Sequence, residues 1–128
     1  MTSDRILLTI PRGEGFENVA QLVLAGVAAR LNLTYEVMDD LGTALSTLLE
    51  RRGEQGELTV ELDVGEDVVT ATLGPFEPEA LRGSLERESD DSVGLRRVLE
   101  TVSDGFRVFE REGSSWIELT KSVETVAL

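Results

Sequence analysis

The stretch FRVFEREGSSWIEL, residues 106–119, contains two runs of alternating residues separated by Glu112-Gly113. Alternation of this kind has the period of a β-strand, and a glycine suits the tight turn of a hairpin. A two-residue turn at this point brings residues of compatible chemistry opposite one another on both faces: Val108 with Ile117 and Phe106 with Leu119 on one, Phe109 with Trp116 and Arg107 with Glu118 on the other. We therefore predict an antiparallel hairpin in this register.

Two amphipathic helices are predicted in the first half of the chain. Apolar residues have helical spacing from Gly15 to Leu31 and again from Thr34 to about Gly53. Thr34 is placed to cap the second helix. The predicted apolar stripes are Phe16, Val19, Ala20, Val23, Val27 and Leu31 in the first helix, and Val37, Leu41, Ala44, Leu45 and Leu48 in the second.

Further strands lie on either side of these helices. Residues 5–10 are mostly aliphatic and stop at Pro11, which favours a short strand at a sheet edge. Residues 58–64 alternate between aliphatic and polar side chains. A turn at Gly65-Glu66 predicts a second hairpin with these pairs: Leu62 with Val69, Val60 with Ala71, and Leu58 with Leu73.

The region from Gly74 to Val93 is rich in proline, glycine and acidic residues, so we expect a loop with one short helix near 79–85. A further helix is predicted over 94–103. The order is thus strand, two helices, two strands, loop, helix, two strands. It predicts an α/β two-layer sandwich, with helices on one face of a mixed, mostly antiparallel sheet of about five strands. We expect a single domain over residues 1–128.

The composition excludes several classes of function. The chain has no cysteine and no histidine, which removes thiolate chemistry, phospho-histidine relays and the usual transition-metal ligands, so no metal site is predicted. A formal net charge of −13 argues against direct contact with nucleic acid or an anionic membrane. The sequence has neither a long apolar run nor a signal-peptide pattern, and we expect a cytoplasmic protein.

Residues 40–47, 73–78, 94–104 and 113–121 together resemble, in this order, four segments of the anti-sigma-factor serine kinases of the histidine-kinase-like (GHKL) ATPase fold. The segment Asp40-Leu-Gly-Thr-Ala-Leu-Ser-Thr47 is similar to the family's second helix, in which an acidic residue precedes an aliphatic-Ala-aliphatic-Ser-Glu run. Residues 73–78 are similar to its Gly-Pro turn, 94–104 to its Gly-Leu helix and 113–121 to its last strand. The resemblance covers nearly the whole chain in order and implies the histidine-kinase-like ATPase fold.

The resemblance also implies a nucleotide site whose residues have been replaced. In the family, a Glu polarises the attacking hydroxyl and an Asn one turn later holds Mg²⁺. Thr47 and Arg51 stand at these positions, and neither can do that chemistry. The remaining vestigial positions are Thr72, where the family has the carboxylate that binds adenine, Gly74, Gly94 and Ser114. ATP and Mg²⁺ are expected as cofactors only if the site still works, for example through a carboxylate displaced to Asp39, Asp40 or Glu50.

By resemblance, the partners are a sigma factor, an anti-anti-sigma protein of the sulfate-transporter/anti-sigma-antagonist (STAS) type, or both. We expect a pseudokinase regulator that competes by contact in a partner-switching pathway. An active ATP-dependent serine/threonine kinase with divergent site residues is the alternative. Phe109, Trp116 and Arg107 form the predicted partner surface, because aromatic residues are enriched at interfaces. A homodimer is also expected, with the strand from Ile6 to Ile10 as its candidate seam.

Overall fold

The computed structural model describes residues 4–11, 16–30, 33–49, 56–86 and 94–122. Within these ranges the predicted order of elements is confirmed. The elements are β1 (Asp4–Pro11), α1 (Phe16–Arg30), α2 (Tyr35–Leu49), β2 (Glu57–Val64), β3 (Val68–Phe76), α3 (Pro78–Glu86), α4 (Leu95–Val102), β4 (Gly105–Arg111) and β5 (Ser114–Ser122). The predicted helix limits at Gly15, Leu31 and Gly53 lie outside the described residues.

The five strands form one sheet in the order β1-β2-β3-β5-β4, and every neighbouring pair is antiparallel. The edges are therefore β1, as predicted, and β4. One face carries the apolar side chains of the strands, and these form a single core with buried residues of all four described helices. The opposite face is rich in threonine and charged residues, and we call it the open face. This arrangement confirms the two-layer α/β sandwich.

Helix α2 forms the centre of the helical layer. Its five predicted stripe residues are at most 6% exposed, and burying each such aliphatic side chain stabilises the fold by about 1.5–3 kcal/mol, less for the alanine. The cap is confirmed as well, because Thr34 Oγ1 accepts a hydrogen bond from Val37 N at 3.4 Å. None of the described helices is long and apolar enough to cross a membrane.

The predicted core stripe of α1 is wrong in part. Val19 and Val23 are 50% and 38% exposed, whereas Leu24 is 6% exposed and Val27 packs partly against the core. The helix is apolar on almost every side, so its periodicity specifies the inward face only weakly. Gln21 adds a polar constraint: its Nε2 donates to Gly42 O at 2.8 Å and to Ser46 Oγ on α2.

The β2–β3 hairpin was predicted in the wrong register. Val64 pairs with Val69, Leu62 with Ala71 and Val60 with Leu73, two residues away from the predicted pairs. Gly65 N donates to Val68 O at 2.9 Å, so the two turn residues are Glu66 and Asp67. A shift of two residues keeps every side chain on its own face, and the buried set was therefore predicted correctly despite the error.

The C-terminal hairpin has the predicted register throughout, including the pairs Phe109 with Trp116 and Arg107 with Glu118. Glu112 and Gly113 have φ of 53° and 81°, as a type I′ turn requires. The predicted loop begins later than expected, because β3 continues through Phe76. The short helix is confirmed and spans Pro78–Glu86, and the rest of that predicted loop, 87–93, lies outside the described residues.

Candidate functional site

The resemblance places the catalytic positions on α2, which contacts α1 on one side and β5 on another. Gly42 and Ser46 accept hydrogen bonds from α1, while Asp40 contacts β5. Thr47 lies seven residues after Asp40, about two turns along the helix, and therefore shares the face of Asp40. The structure thus brings Thr47 and Asp40 to one side of α2, away from its contact with α1.

The hydroxyl of Thr47 is bonded to its own helix. Thr47 Oγ1 donates to Thr43 O at 2.8 Å, and Thr43 Oγ1 donates in turn to Asp39 O at 3.0 Å. Back-bonding of this kind to the carbonyl four residues earlier is a common state of threonine in helices. A threonine hydroxyl is not a base at neutral pH, and here its proton is already donated. Thr47 therefore supplies no proton acceptor of the kind that a transferring hydroxyl needs.

Of the three carboxylates considered as displaced catalytic groups, Asp40 is held in an ion pair. Its Oδ2 lies 2.7 Å from Lys121 Nζ, and the two side chains are 24% and 15% exposed. The hydrogen bond with Asp40 raises the pKa of the Lys121 ammonium above its ordinary value, so Lys121 stays protonated near neutral pH. Asp39 is exposed to solvent, and Glu50 and the predicted metal-ligand position Arg51 lie outside the described residues.

Thr72, the predicted adenine position, lies on the open face of the sheet. Its neighbours in the ladders are Glu61 and Glu118, whereas Ala71 and Leu73 on either side of it belong to the core beneath the helices. Successive side chains of a strand point to opposite faces. The Thr72 side chain is therefore on the other side of the sheet from Thr47, and the structure does not bring these two positions together.

Gly74 is in contact with an aromatic ring. A Cβ added at Gly74 would lie 2.5 Å from Cδ2 of Trp116, well inside the contact distance of two carbon atoms. Gly74 and Trp116 are both buried, the latter at 9% exposure. The packing of this indole is a structural reason for a glycine at position 74 that does not involve a nucleotide.

Gly94 and Ser114, the remaining vestigial positions, lie on separate elements. Gly94 is the N-cap of α4, with φ −70° and ψ 161°, and makes no side-chain capping bond. Ser114 is the first residue of β5, directly after the hairpin turn, and is half-buried. Among the described residues no group of three or more acidic side chains is placed to hold a metal ion. Thr47 offers no carboxylate at the catalytic position that the resemblance implies, and the implied metal-ligand position, Arg51, lies outside the described residues, so we derive no catalytic step through a Mg²⁺-bound triphosphate.

The predicted partner surface lies on the open face and is partly covered by arginines. The Arg111 guanidinium is 4.4 Å from the centroid of the Trp116 ring and 5.4 Å from that of Phe109. Arg111 also reaches Glu61 on β2 at 3.3 Å. Trp116 is thus enclosed between Gly74 and Arg111, whereas Phe109 is half-buried at the sheet edge. Arg111 and Glu61 were not predicted as part of this surface, although the alternation of β4 already put Arg111 on the face of Phe109.

Arg107 is the most accessible part of this surface, with a side chain that is 64% exposed. Its Nε donates to Glu118 Oε1 at 2.9 Å and its Nη2 to Glu118 Oε2 at 3.3 Å. This two-bond contact lowers the pKa of the Glu118 carboxyl. The Arg107 guanidinium also lies 5.1 Å from the centroid of the Phe109 ring. The open face near β4 therefore presents an arginine over an aromatic ring.

Comparison with known proteins identifies the relatives of this chain. No family model matches it. It is 34% identical over 139 residues to serine-protein kinase RsbW of Listeria monocytogenes serovar 1/2a, in an alignment that covers 94% of this chain and 88% of the relative. It is 26% identical over 142 residues to serine-protein kinase RsbW of Bacillus subtilis strain 168, covering 93% of this chain and 86% of that protein.

A solved structure has the same fold. The crystal structure of the RsbU and RsbW domains of Rv1364c from Mycobacterium tuberculosis superimposes with a TM-score of 0.70 at 14% identity. The match covers 97% of this chain and 33% of that longer chain. The identity to the Listeria relative, its coverage and the shared fold agree. This chain belongs to the RsbW family of anti-sigma-factor serine-protein kinases, on the histidine-kinase-like ATPase fold.

Proposed function

We propose that this chain is an anti-sigma-factor-like regulator that acts by protein–protein binding in a partner-switching pathway, and that it is a pseudokinase with lost or weak ATP binding. The observation that carries the proposal is the set of contacts made by two side chains of α2, Thr47 and Asp40. Thr47 occupies the position of the family's catalytic glutamate, and its hydroxyl is bonded to Thr43 O. Asp40, a charged residue on the same helical face, is paired with Lys121.

The chemistry of phosphoryl transfer explains why these two contacts matter. Transfer from ATP relies on a group that orients the nucleophile and on Mg²⁺ that neutralises the phosphate oxygens. At the positions where the family has these groups, this chain has a threonine and an arginine, Thr47 and Arg51. An arginine at a metal-ligand position would repel the cation, because its guanidinium has no acceptor atom and stays charged.

Binding to other proteins does not require that chemistry. We propose a sigma factor, a STAS-type anti-anti-sigma protein, or both, as the partners. The net charge of −13 favours a partner with a cationic surface. Arg107 and Phe109 offer a further contact on the open face, where an exposed guanidinium is stacked on an aromatic ring. Arginine and aromatic residues are enriched among the residues that dominate binding energy.

A homodimer is the second assembly that we propose, and the surface around β1 supports it. β1 is an edge strand, and among the described strands none pairs with its outer backbone groups, which can therefore pair with another strand. On α1, Val19 and Leu22 are 50% and 74% exposed, and Val23 is 38% exposed. Exposed apolar side chains grouped on one helix are typical of an interface. We propose that these residues and the Ile6–Ile10 strand form the dimer seam.

An active serine/threonine kinase is the alternative, and one observation favours it: both RsbW relatives described above are named serine-protein kinases. A transfer assay separates the two functions. The tagged chain is first used to capture its partner, which is identified by mass spectrometry. The purified partner is then incubated with the chain, Mg²⁺ and γ-labelled ATP. A pseudokinase retains the partner without labelling it.

The Bacillus subtilis relative, assayed for ATP turnover under the same conditions, controls for the activity of the reagents. The chain's Lys121→Met variant tests whether release of Asp40 alone creates a catalytic carboxylate. Labelled serine or threonine on the partner, in amounts that grow with time and with the concentration of the unmodified chain, would show an active kinase and refute the proposal.

A further inference from the structure

β4 is the outermost strand of the sheet on the side away from β1, and its outer edge has no neighbouring strand in the described structure. It runs from Gly105 to Arg111 and pairs only with β5. Edge strands of this length present a row of unpaired backbone donors and acceptors, and proteins either protect such edges or use them for binding. The residues beside this edge indicate which of these applies here.

The hairpin turn determines which backbone groups point outwards. A two-residue turn makes its flanking residues, Arg111 and Ser114, a hydrogen-bonded pair. Hydrogen-bonded and non-hydrogen-bonded pairs alternate along an antiparallel ladder, so Phe109 and Arg107 also bond to β5. The amides and carbonyls of the alternate residues therefore point away from the sheet. These residues are Phe106, Val108 and Glu110.

A groove of about 310 Å³ lies directly beside this edge, between β4 and the helices α3 and α4. Its floor is apolar and consists of Pro78, Leu81 and Leu85, with Leu81 fully buried and Leu85 7% exposed. Val108 forms part of the wall and is 42% exposed, although its partner Ile117 is fully buried. The volume is at the lower end of the roughly 300–1,000 Å³ typical of ligand pockets.

Charged residues around the groove do not favour either sign of ligand. Arg82 and Arg96 approach it from the helices, and Glu86 and Glu110 line it as well. The Arg96 side chain is held by a contact within the fold, since its Nε donates to Leu85 O at 3.2 Å. Two cationic and two anionic groups balance, so what distinguishes this groove is its apolar floor next to an open strand edge.

We propose that this groove docks an extended segment of a partner protein, which adds as a sixth strand beside β4 and places aliphatic side chains in the groove. The outward amides and carbonyls of Val108 and Glu110, which no described strand pairs with, specify an extended backbone, because only a strand presents complementary groups at the same spacing. The floor of leucine and proline specifies aliphatic side chains at alternate positions of that strand. This docking site lies on the helical side of the sheet edge and does not depend on whether the chain binds ATP.

The test uses a display library of random peptides selected on the purified wild-type chain. We expect the enriched peptides to carry aliphatic residues at alternate positions. Their synthetic forms are expected to bind wild type and to lose affinity about tenfold or more with Val108→Glu, which puts a charge into the groove. Leu7→Glu is the matched control, because Leu7 is 64% exposed on the other edge strand and its substitution leaves the groove unchanged.

Amide hydrogen exchange locates the bound peptide independently of any variant. Exchange should slow at Val108 and Glu110 on binding, while the Phe109 and Arg107 amides, already bonded to β5, change little. The thermal transition of Val108→Glu, compared with that of Leu7→Glu, verifies that Val108→Glu is folded. Val108→Pro is the second variant, because it removes one outward amide of β4.

Three results would overturn the proposal: no peptide enriched above the unselected library, enriched peptides that bind folded Val108→Glu as well as wild type, or a wild-type dimer that Val108→Glu converts to a monomer. The last result would assign the groove to a second copy of this chain.

Discussion

Lys121 Nζ, near the end of β5, lies 2.7 Å from Asp40 Oδ2 in the middle of α2. The two side chains are 15% and 24% exposed, so the contact is largely shielded from solvent. It joins β5 to the helix on which the resemblance places the family's catalytic positions. The contact that connects the two layers also pairs Asp40, one of the three carboxylates considered as displaced catalytic groups, with a cation.

Replacing Lys121 by methionine should lower the free energy of unfolding by about 1–2 kcal/mol, because Asp40 then loses a charged hydrogen-bond partner in a half-buried position. Chemical denaturation at neutral pH measures this change. Arg97→Met is the control, since Arg97 is exposed on α4. Equal stability of the Lys121→Met and Arg97→Met variants would show that the ion pair contributes nothing.

The same pair predicts a dependence on alkaline pH. The Lys121 pKa is raised in the folded protein by the hydrogen bond with Asp40. Its stabilisation is therefore complete below the unfolded lysine pKa of about 10.4 and is lost as the pH rises through the higher folded value. Denaturation curves of wild type and Lys121→Met should converge above that range. A difference that stays constant into strong alkali would contradict this origin.

Gly74→Ala should destabilise the fold by about 1–3 kcal/mol, because the new Cβ overlaps the Trp116 ring and forces the indole or the strand to move. Gly83→Ala is the matched control. Nothing lies within 4 Å of a Cβ at Gly83 on α3, and alanine there should add up to about 1 kcal/mol through its higher helix propensity. Thermal unfolding of both variants measures the contrast, and two similar shifts would refute the close contact.

The C-terminal hairpin could be predicted in full from the sequence because both of its faces constrain the register. A shift of one residue would place Phe109 and Trp116 in the core, and a shift of two would separate Arg107 from Glu118. The β2–β3 hairpin lacks the second constraint. Its buried face is aliphatic throughout and its other face is mainly threonine and acidic residues, so two registers satisfy the pattern equally and only the turn geometry distinguishes them.

The candidate site was harder to predict because it depends on contacts between distant parts of the chain. The sequence alone does not indicate that Lys121 pairs with Asp40. The alternation of Thr72 with Ala71 and Leu73 already places Thr72 on the open face, away from the helices. The choice of which side of α1 faces the core depends on Gln21, a polar residue in an apolar helix. Its side chain donates hydrogen bonds to α2. Such tertiary contacts leave little trace in local periodicity.

Arg107→Ala should weaken capture of the partner while leaving the fold intact. The side chain is 64% exposed, and its pair with Glu118 lies on the surface, where ion pairs contribute little to stability. Arg97→Ala on α4 controls for the loss of one positive charge. Trp116→Ala is a poorer test of this surface, because Trp116 is 9% exposed and its removal should cost about 3–5 kcal/mol of stability. Undiminished capture by Arg107→Ala would remove this surface from the interface.

Leu22→Glu should disrupt the proposed homodimer, since Leu22 is 74% exposed among the apolar residues of α1 and a glutamate buried in the proposed seam would be unpaired. Sedimentation velocity over a range of concentrations measures the shift. Tyr35→Glu, at a residue 75% exposed at the start of α2, is the matched control. If Leu22→Glu and wild type sediment alike, α1 is not part of the seam.

Calorimetric titration of the purified chain with ATP in the presence of Mg²⁺ tests the central claim most directly. The resemblance puts Arg51 at the family's Mg²⁺-ligand position and Thr72 at its adenine position, and neither can do that chemistry. We therefore expect no saturable heat and no shift in the unfolding temperature, with the Bacillus subtilis relative titrated in parallel for comparison. Saturable binding with a micromolar dissociation constant would contradict the account.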